Sequence, residues 1–381
     1  MAKLGDICKF QSGGTPSRKN SDYFNGTIPW ITTTALNGGK ISSDDANEWI
    51  TLKAIDESAA KIVPENSILV GTRVGVGKVA INSIPLSTSQ DIISLIDIDD
   101  TVWSKEFVCE FISSKSTFLN SQARGATIKG IKIEILSELE LPSYSLDEQQ
   151  KISSVLYDVN HLISLRKQQL SKLDELVKSR FVELFGDVAS YPQYVGVPLG
   201  TICTTLSGGT PTTKVPEYYE GDIPWISTPY LGNNHINGSS AKAYITEEAI
   251  KNSATHLVPA NTIMFGIRVG VGKSSVIDEP MCANQDIVAL MGIDTSKYNL
   301  LFVKHVLDAY QSHFDSIKKG ATILGITTED LKKVLIPIAD IEIQNQFAAF
   351  VEQTDKSKFE IQQSLEKLET LKKALMQKYF G

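Results

Sequence analysis

Two stretches of the chain could do phosphate chemistry: "GTRVGVGK", Gly71 to Lys78, and "GIRVGVGK", Gly266 to Lys273. Glycine-rich turns expose backbone amides, and a lysine beside them suits an oxyanion. A nucleotide-binding P-loop, however, requires G-x-x-x-x-G-K-[ST]. With the lysine fixed at Lys78, the first glycine falls on Thr72 and the final hydroxyl on Val79. The second copy supplies Ser274 but places Ile267 where glycine is needed. "GVGKVA", Gly75 to Ala80, fits the dinucleotide pattern G-x-G-x-x-A; its twin "GVGKSS" does not, and neither opens a βαβ unit. The better reading is a glycine-rich β-turn that carries Arg73, Lys78, Arg268 and Lys273 outward or brings the backbone close to a ligand.

Other catalytic chemistry is not supported. The five histidines (His161, His235, His256, His305, His313) have no counterparts between the two copies and no H-E-x-x-H or H-x-E spacing, so no metal site is expected. Cys8, Cys109, Cys203 and Cys282 lie far apart without a CxxC, which predicts buried reduced thiols rather than disulfides or zinc. There is no GxSxG elbow and no DPPY- or NPPY-like motif of amino-methyltransferases. With no paired catalytic groups in either copy, the expectation is a binding protein with no catalytic residue and no cofactor of its own.

The turn occurs twice because the whole chain is a tandem repeat. At one offset of 195 residues, "SGGTPSRKNSDYFNGTIPWITTTAL" overlies "SGGTPTTKVPEYYEGDIPWISTPYL", and "VPENSILVGTRVGVGK" overlies "VPANTIMFGIRVGVGK". The register holds through Gln90-Asp91 over Gln285-Asp286 and GATI at Gly125 over GATI at Gly320, and it ends with "LFG" over "YFG". Each copy begins with short β-type runs broken by Gly, Pro, Asn and Asp, with a helix near 105–120. After Pro142 and Pro337 no Gly or Pro occurs until Gly186 and Gly381. Val159, Ile163, Arg166, Leu170, Leu173, Val177 and Leu184 then follow 4,3 spacing, as do Ile361, Leu365, Leu368, Leu375 and Tyr379. Each run predicts an amphipathic helix of about 57 Å with a packing seam.

The expected fold class is therefore α+β: two mostly-β domains, 1–142 and 196–337, with helical segments 143–186 and 338–381 and a joint at 187–195. Symmetry favours antiparallel helices with the domains at opposite ends of a pseudo-two-fold rod. The short joint makes a parallel pairing the weaker alternative.

A net charge of -7 argues against coating nucleic acid by bulk charge, yet stretches such as Arg124 to Lys132 are locally basic. Paired positions suit an extended polar ligand: Thr32, Thr33 and Thr34 over Ser227 and Thr228, Gln90 over Gln285, and Arg124 and Lys129 in one GATI segment with Lys318 and Lys319 in the other. Arginine and lysine suit phosphate or guanine, and glutamine suits adenine edges. A scaffold gripping peptides with two β modules is the competing reading.

The motifs "GGTP…IPWI", "VP.N.I…G.RVGVGK", "QDI" and "LPSYSLDEQQKISSVL" together resemble the specificity (S) subunit of type I restriction-modification enzymes over essentially the full chain. The second copy departs from the pattern with Ile343 where the first has Glu148. The resemblance implies a non-catalytic DNA-reading subunit with two target recognition domains; with no run of 18 apolar residues and no basic and apolar regions of a secretory signal in "MAKLGDICKFQSGG", the cytoplasm is the expected location. Each domain reads half of a bipartite duplex target, and the helices set the gap and dock two methyltransferase subunits. S-adenosylmethionine, ATP and Mg belong to partner chains, which include restriction subunits where these join. Arg73, Arg268, Lys78 and Lys273 become candidate backbone contacts. Residues 37–49 against 232–244, and 80–89 against 275–284, become candidate base readers, and the likeness of the modules predicts related, inverted half-sites.

Overall fold

The computed structural model describes residues 1–125, 130–188, 195–241, 243–320 and 322–381. Lys129 and most of the joint at 187–195 lie outside the described residues. The chain divides into two compact units, Met1–Gln168 with Gln362–Gly381, and Gln169–Ile361. This division cuts through both long helices instead of following the sequence repeat.

In the first unit a five-stranded sheet has the order Lys9–Ser12, Ile92–Ile96, Ile68–Gly71, Val79–Asn82, Lys40–Ile41, antiparallel except for its last pair. A smaller sheet joins Glu48–Ile50, Phe24–Ile31, Leu86–Thr88 and Ile62–Val63. The central strands are apolar on both faces because both are covered. Ile68, Val70, Val79 and Ile81 belong to a core shared with helix Lys105–Ser114, while the alternate residues Leu69 and Ala80 join a second core with Ile31, Leu36 and Leu86. The second unit repeats this arrangement: Ile263, Phe265 and Val276 pack toward helix Leu300–Ala309, and Met264 and Ile277 pack the other way.

The helix expected near 105–120 is two helices, Lys105–Ser114 and Ser116–Gln122, broken at Lys115. All four cysteines are free, but only Cys109 and Cys282 are buried; Cys8 and Cys203 are half-buried, contrary to the expectation of four buried thiols. Burial still pushes the Cys8 thiol up to about 12 and that of Cys203 up to about 11, so neither is a reactive thiolate near neutrality.

The long helices run Leu146–Phe185 and Ile341–Phe380. Ser145 caps the first: its amide and hydroxyl donate to Glu148 Oε2 at 2.8 and 2.7 Å. The second lacks that glutamate but starts at the matching residue, where Asp340 Oδ1 accepts from the Glu342 amide at 2.8 Å. What the two entrances share is a buried glutamine. Gln149 accepts from the Ser104 amide and donates to the carbonyls of Val102 and Tyr144. Gln344 accepts from the Asn299 amide and donates to the carbonyls of Lys297 and Ala339. Each glutamine therefore ties a long helix to the start of the helix that covers the main sheet.

Within each unit the helices run antiparallel. In the first, the Tyr144 hydroxyl reaches the Tyr379 carbonyl at 3.5 Å and Lys167 pairs with Glu369 at 3.3 Å. In the second, Lys358 pairs with Asp174 at 2.5 Å and Phe347 packs on Phe181 and Phe185. Val159, Val177 and Leu365 are buried, and Ile163, Leu170, Leu173, Ile361 and Leu368 are half-buried, in steps of three and four between exposed neighbours.

His305 packs edge-on against Phe347 with its side chain 12% exposed, and its Nδ1 lies 3.4 Å from Asp308 Oδ2. Burial, reinforced by the charges of Lys304 and Lys358 and opposed by Asp308, lowers its pKa to about 4. The unfolded chain takes up this proton near pH 6.5 and the folded chain near pH 4, so the unfolded state binds more protons between these values. Stability is then expected to fall as pH drops from about 6.5 toward 4, by up to about 3 kcal/mol from this residue. Denaturant titrations at several pH values should show His305→Gln removing that part of the pH dependence.

Candidate nucleic-acid interface

The segments that repeat in sequence converge on one rim of each unit. In the first unit the turn Gly71–Lys78 closes on itself: the Gly71 amide donates to the Lys78 carbonyl at 2.8 Å, and the Gly77 amide to the Gly71 carbonyl at 2.9 Å. Gly75 and Gly77 have φ of 70° and 81°, which only glycine adopts without strain. The chain continues as strand Val79–Asn82, not as a helix. The second turn has the same bonds, with Gly270 and Gly272 at 77° and 93°, and continues as strand Ser274–Ile277. The amides of Gly71, Gly77 and Lys78 donate within the turn, that of Thr72 donates to Asp91, and a strand follows instead of a helix, so the geometry is not that of a nucleotide loop.

Two other repeated segments pack on this turn, and a third lies against one of them. The Thr72 amide donates to the Asp91 carbonyl at 2.9 Å, joining the turn to the Gln-Asp segment, and the Ile267 amide does the same to Asp286 at 2.8 Å. The Ile131 amide donates to the Thr72 carbonyl and the Ile326 amide to the Ile267 carbonyl, bringing in the ends of the two GATI segments. These ends are pinned by the pairs Arg124–Gly130 and Lys319–Gly325. The Ser-Gly-Gly-Thr segment lies beneath Gln-Asp. A Cβ on Gly13 would lie 2.2 Å from the Ser89 carbonyl oxygen, and one on Gly208 2.2 Å from that of Asn284. The indole nitrogens of Trp30 and Trp225 donate to the Gly14 and Gly209 carbonyls, each at 3.0 Å.

Arg73, Lys78, Arg124, Arg268, Lys273 and Lys319 are exposed on these rims, as are Gln90 and Gln285. Lys318 is half-buried and bonded to Asp315. Gln285 accepts from the Thr210 hydroxyl, and the Gln90 amide donates to Thr15 Oγ1 at 3.4 Å. Thr32 and Thr34 share a hydrogen bond of 2.8 Å, and Ser227 is half-buried. Thr33 and Thr228 are only 5% and 1% exposed, so burial removes them from any set that meets a ligand. The same correction applies to most of 80–89 and 275–284. Ala80–Asn82, Leu86–Ser89, Ser275–Ile277 and Met281–Asn284 are core strands and their ends, so their sequence differences adjust packing. Most of 37–49 and much of 232–244 remain half-buried or exposed, beside the strand that follows each turn.

Sequence reasoning missed Asp91 and Asp286. Their carboxylates lie 3.8 and 3.9 Å from Arg73 and Arg268, close enough to hold each guanidinium in place but too far for a tight pair. The repeated aspartate in "QD" was the available signal. Asn120 and Gln311 were also missed: each donates to the turn, at the Val76 and Val271 carbonyls, at 3.0 Å, but from non-equivalent positions of the repeat. No cluster of metal-ligating side chains occurs among the described residues, and no described helix is long and apolar enough to cross a membrane.

Two cation-bearing rims, each on a mixed sheet beside paired long helices, define a binding protein with two like reading heads. The model of the type I restriction modification DNA specificity domain matches residues 1–175 and 193–373, and the chain belongs to that family of specificity subunits. It is 26% identical to the MjaIX type I restriction enzyme specificity subunit of Methanocaldococcus jannaschii, over 99% of this chain and 91% of that one. To the EcoR124I/EcoR124II specificity subunit of Escherichia coli it is 31% identical over 41% of this chain and 40% of that one. Its fold is similar to the S subunit of the type I restriction-modification system from M. genitalium, with a TM-score of 0.60 and 16% identity over 100% of this chain and 95% of that one. The chain's part in such a system is DNA recognition, not catalysis, alongside partner subunits.

Proposed function

We propose that each unit reads one half of a bipartite duplex target through its rim, and that the paired helices set the gap between the halves. The observation that carries this reading is the convergence, in both units, of the same repeated segments on one cation-bearing edge. Arg73, Lys78 and Arg124 in one unit, and Arg268, Lys273 and Lys319 in the other, hold phosphates; Gln90, Gln285 and the loops at 37–49 and 232–244 read bases. Local charge on a rim makes the overall acidic balance tolerable, because the remaining surface serves partner chains. The long helices leave apolar side chains exposed in each unit, Tyr157, Leu162 and Leu165 in the first and Leu176, Val182 and Phe359 in the second, which suits them to two methyltransferase subunits. Those partners carry S-adenosylmethionine; ATP and Mg act where restriction subunits join, and the complex works in the cytoplasm.

Binding of the partner-assembled chain to its duplex should weaken steeply with salt. If the six exposed rim cations each neutralise one phosphate, log affinity falls with log salt at a slope of about -5. Methylome sequencing of a host expressing the complex should return two related half-sites in inverted orientation. Salt-independent binding would overturn the interface, and unrelated half-sites would overturn the inverted pairing.

A further inference from the structure

Apolar side chains stand in solvent among the rim cations. Val74 is 53% and Val269 49% exposed, each directly after the rim arginine, whereas Val76 and Val271 two residues on are buried. In the second unit Ile323 and Leu324 are 54% and 57% exposed. They sit on the loop closed by Lys319 and Gly325, whose amide-carbonyl pairs measure 2.8 and 2.9 Å. That loop lies on the turn: a Cβ on Gly325 would meet the Ile267 carbonyl at 2.7 Å and Arg268 Cγ at 2.9 Å. The exposed valine and the exposed Ile-Leu pair therefore belong to one edge.

Solvent-facing turns favour Gly, Asn, Asp, Ser and Pro, and β-branched residues gain nothing there. An exposed valine occurs at this point in both units all the same. Apolar groups on an edge that also carries Arg268 and Lys319 match a partner that is polyanionic and also presents small apolar groups. Duplex DNA does so in the major groove, where thymine alone among the four bases displays a methyl group at C5. We propose that Val74 in one unit, and Val269, Ile323 and Leu324 in the other, pack on thymine 5-methyl groups, so that part of the base discrimination is apolar contact while the neighbouring arginines hold phosphate. This inference rests on the reading of the rim as the DNA interface.

The test uses the full chain assembled with its methyltransferase partner. A target is recovered from a random duplex pool, and each of its thymines is replaced singly by deoxyuridine, which lacks only the methyl group. At one or more positions in each half, affinity is expected to fall about three- to fivefold, the worth of one buried methyl. A Val269→Ser, Ile323→Ser, Leu324→Ser variant should bind the thymine duplex more weakly and no longer distinguish it from the deoxyuridine duplex in the half it reads; Val74→Ser should do so in the other half. Equal binding of both duplexes by the native chain at every position, or a target without thymine, overturns the inference and leaves DNA reading intact. A variant that still discriminates also overturns it. Should the triple variant fail to fold, the native chain's deoxyuridine series decides alone. Failure to bind any duplex in a salt-sensitive way removes the DNA reading, and the methyl contact with it.

Discussion

Arg73→Ala combined with Arg268→Ala is expected to weaken binding of the target duplex about a hundredfold near 0.1 M salt and to reduce the salt slope by about two. Each arginine's nearest carboxylate is at 3.8 or 3.9 Å and both side chains are about half exposed, so the present pairs hold the guanidinium at little cost, on the order of 0–1 kcal/mol. A phosphate oxygen offers a closer, charge-assisted hydrogen bond worth about 1.5–3 kcal/mol. Removing the arginines also leaves Asp91 and Asp286 facing the duplex unneutralised, which adds repulsion. The lysine variants keep the charge but lose the planar fork, and they should fall between native and alanine. The turn bonds are backbone to backbone, so thermal unfolding should hardly change. Binding by filter or fluorescence at several salt concentrations decides the matter; unaltered affinity would take both arginines out of the interface.

Repetition made the rim legible in the sequence. A side chain or glycine that recurs at a fixed offset is under the same constraint in both copies: the Gly-rich turn bonds to Gln-Asp and to the GATI ends, and Gly-Gly-Thr-Pro lies against the residues that lead into Gln-Asp. Periodicity likewise exposed the long helices, because a seam in steps of three and four has no other physical reading over 40 residues. Burial was much less legible. Thr33 and Thr228 carry the same hydroxyl whether they face solvent or the core, and only the packing places them inside. Strands such as Leu86–Thr88 look variable between copies, yet they lie in the core, where Ser87 and Thr88 of one copy stand at the positions of Cys282 and Ala283 in the other. Arg73 and Arg268 were visible as cations, but their nearest carboxylates come from a different strand end, which no local pattern announces.

The least legible feature was which domain receives the end of each long helix, and it carries the second large effect. The matching motifs "LFG" and "YFG" place Phe185 and Phe380 at equivalent positions, but each packs into the unit built mainly from the other copy. Phe380 is 4% exposed, with its ring 5.3 Å from Phe107 and 6.0 Å from Phe111, and its carbonyl accepts from Lys115 Nζ. The Phe185 ring lies 4.6 Å from that of Phe302, tilted, and 5.6 Å from that of Phe347, edge to face. Phe380→Ala is therefore expected to destabilise the first unit by about 3–5 kcal/mol, the usual cost of emptying a buried phenylalanine site. Hydrogen exchange should locate the loss in helix Lys105–Ser114 and spare Leu300–Ala309, and Phe185→Ala should reverse the pattern. A loss below about 1 kcal/mol, or one equal in both helices, would mean that the terminal phenylalanines are not what fastens each helix end to its unit. The crossed attachment gives each reading head a helix end from the opposite repeat, so neither half of the sequence holds a complete unit by itself.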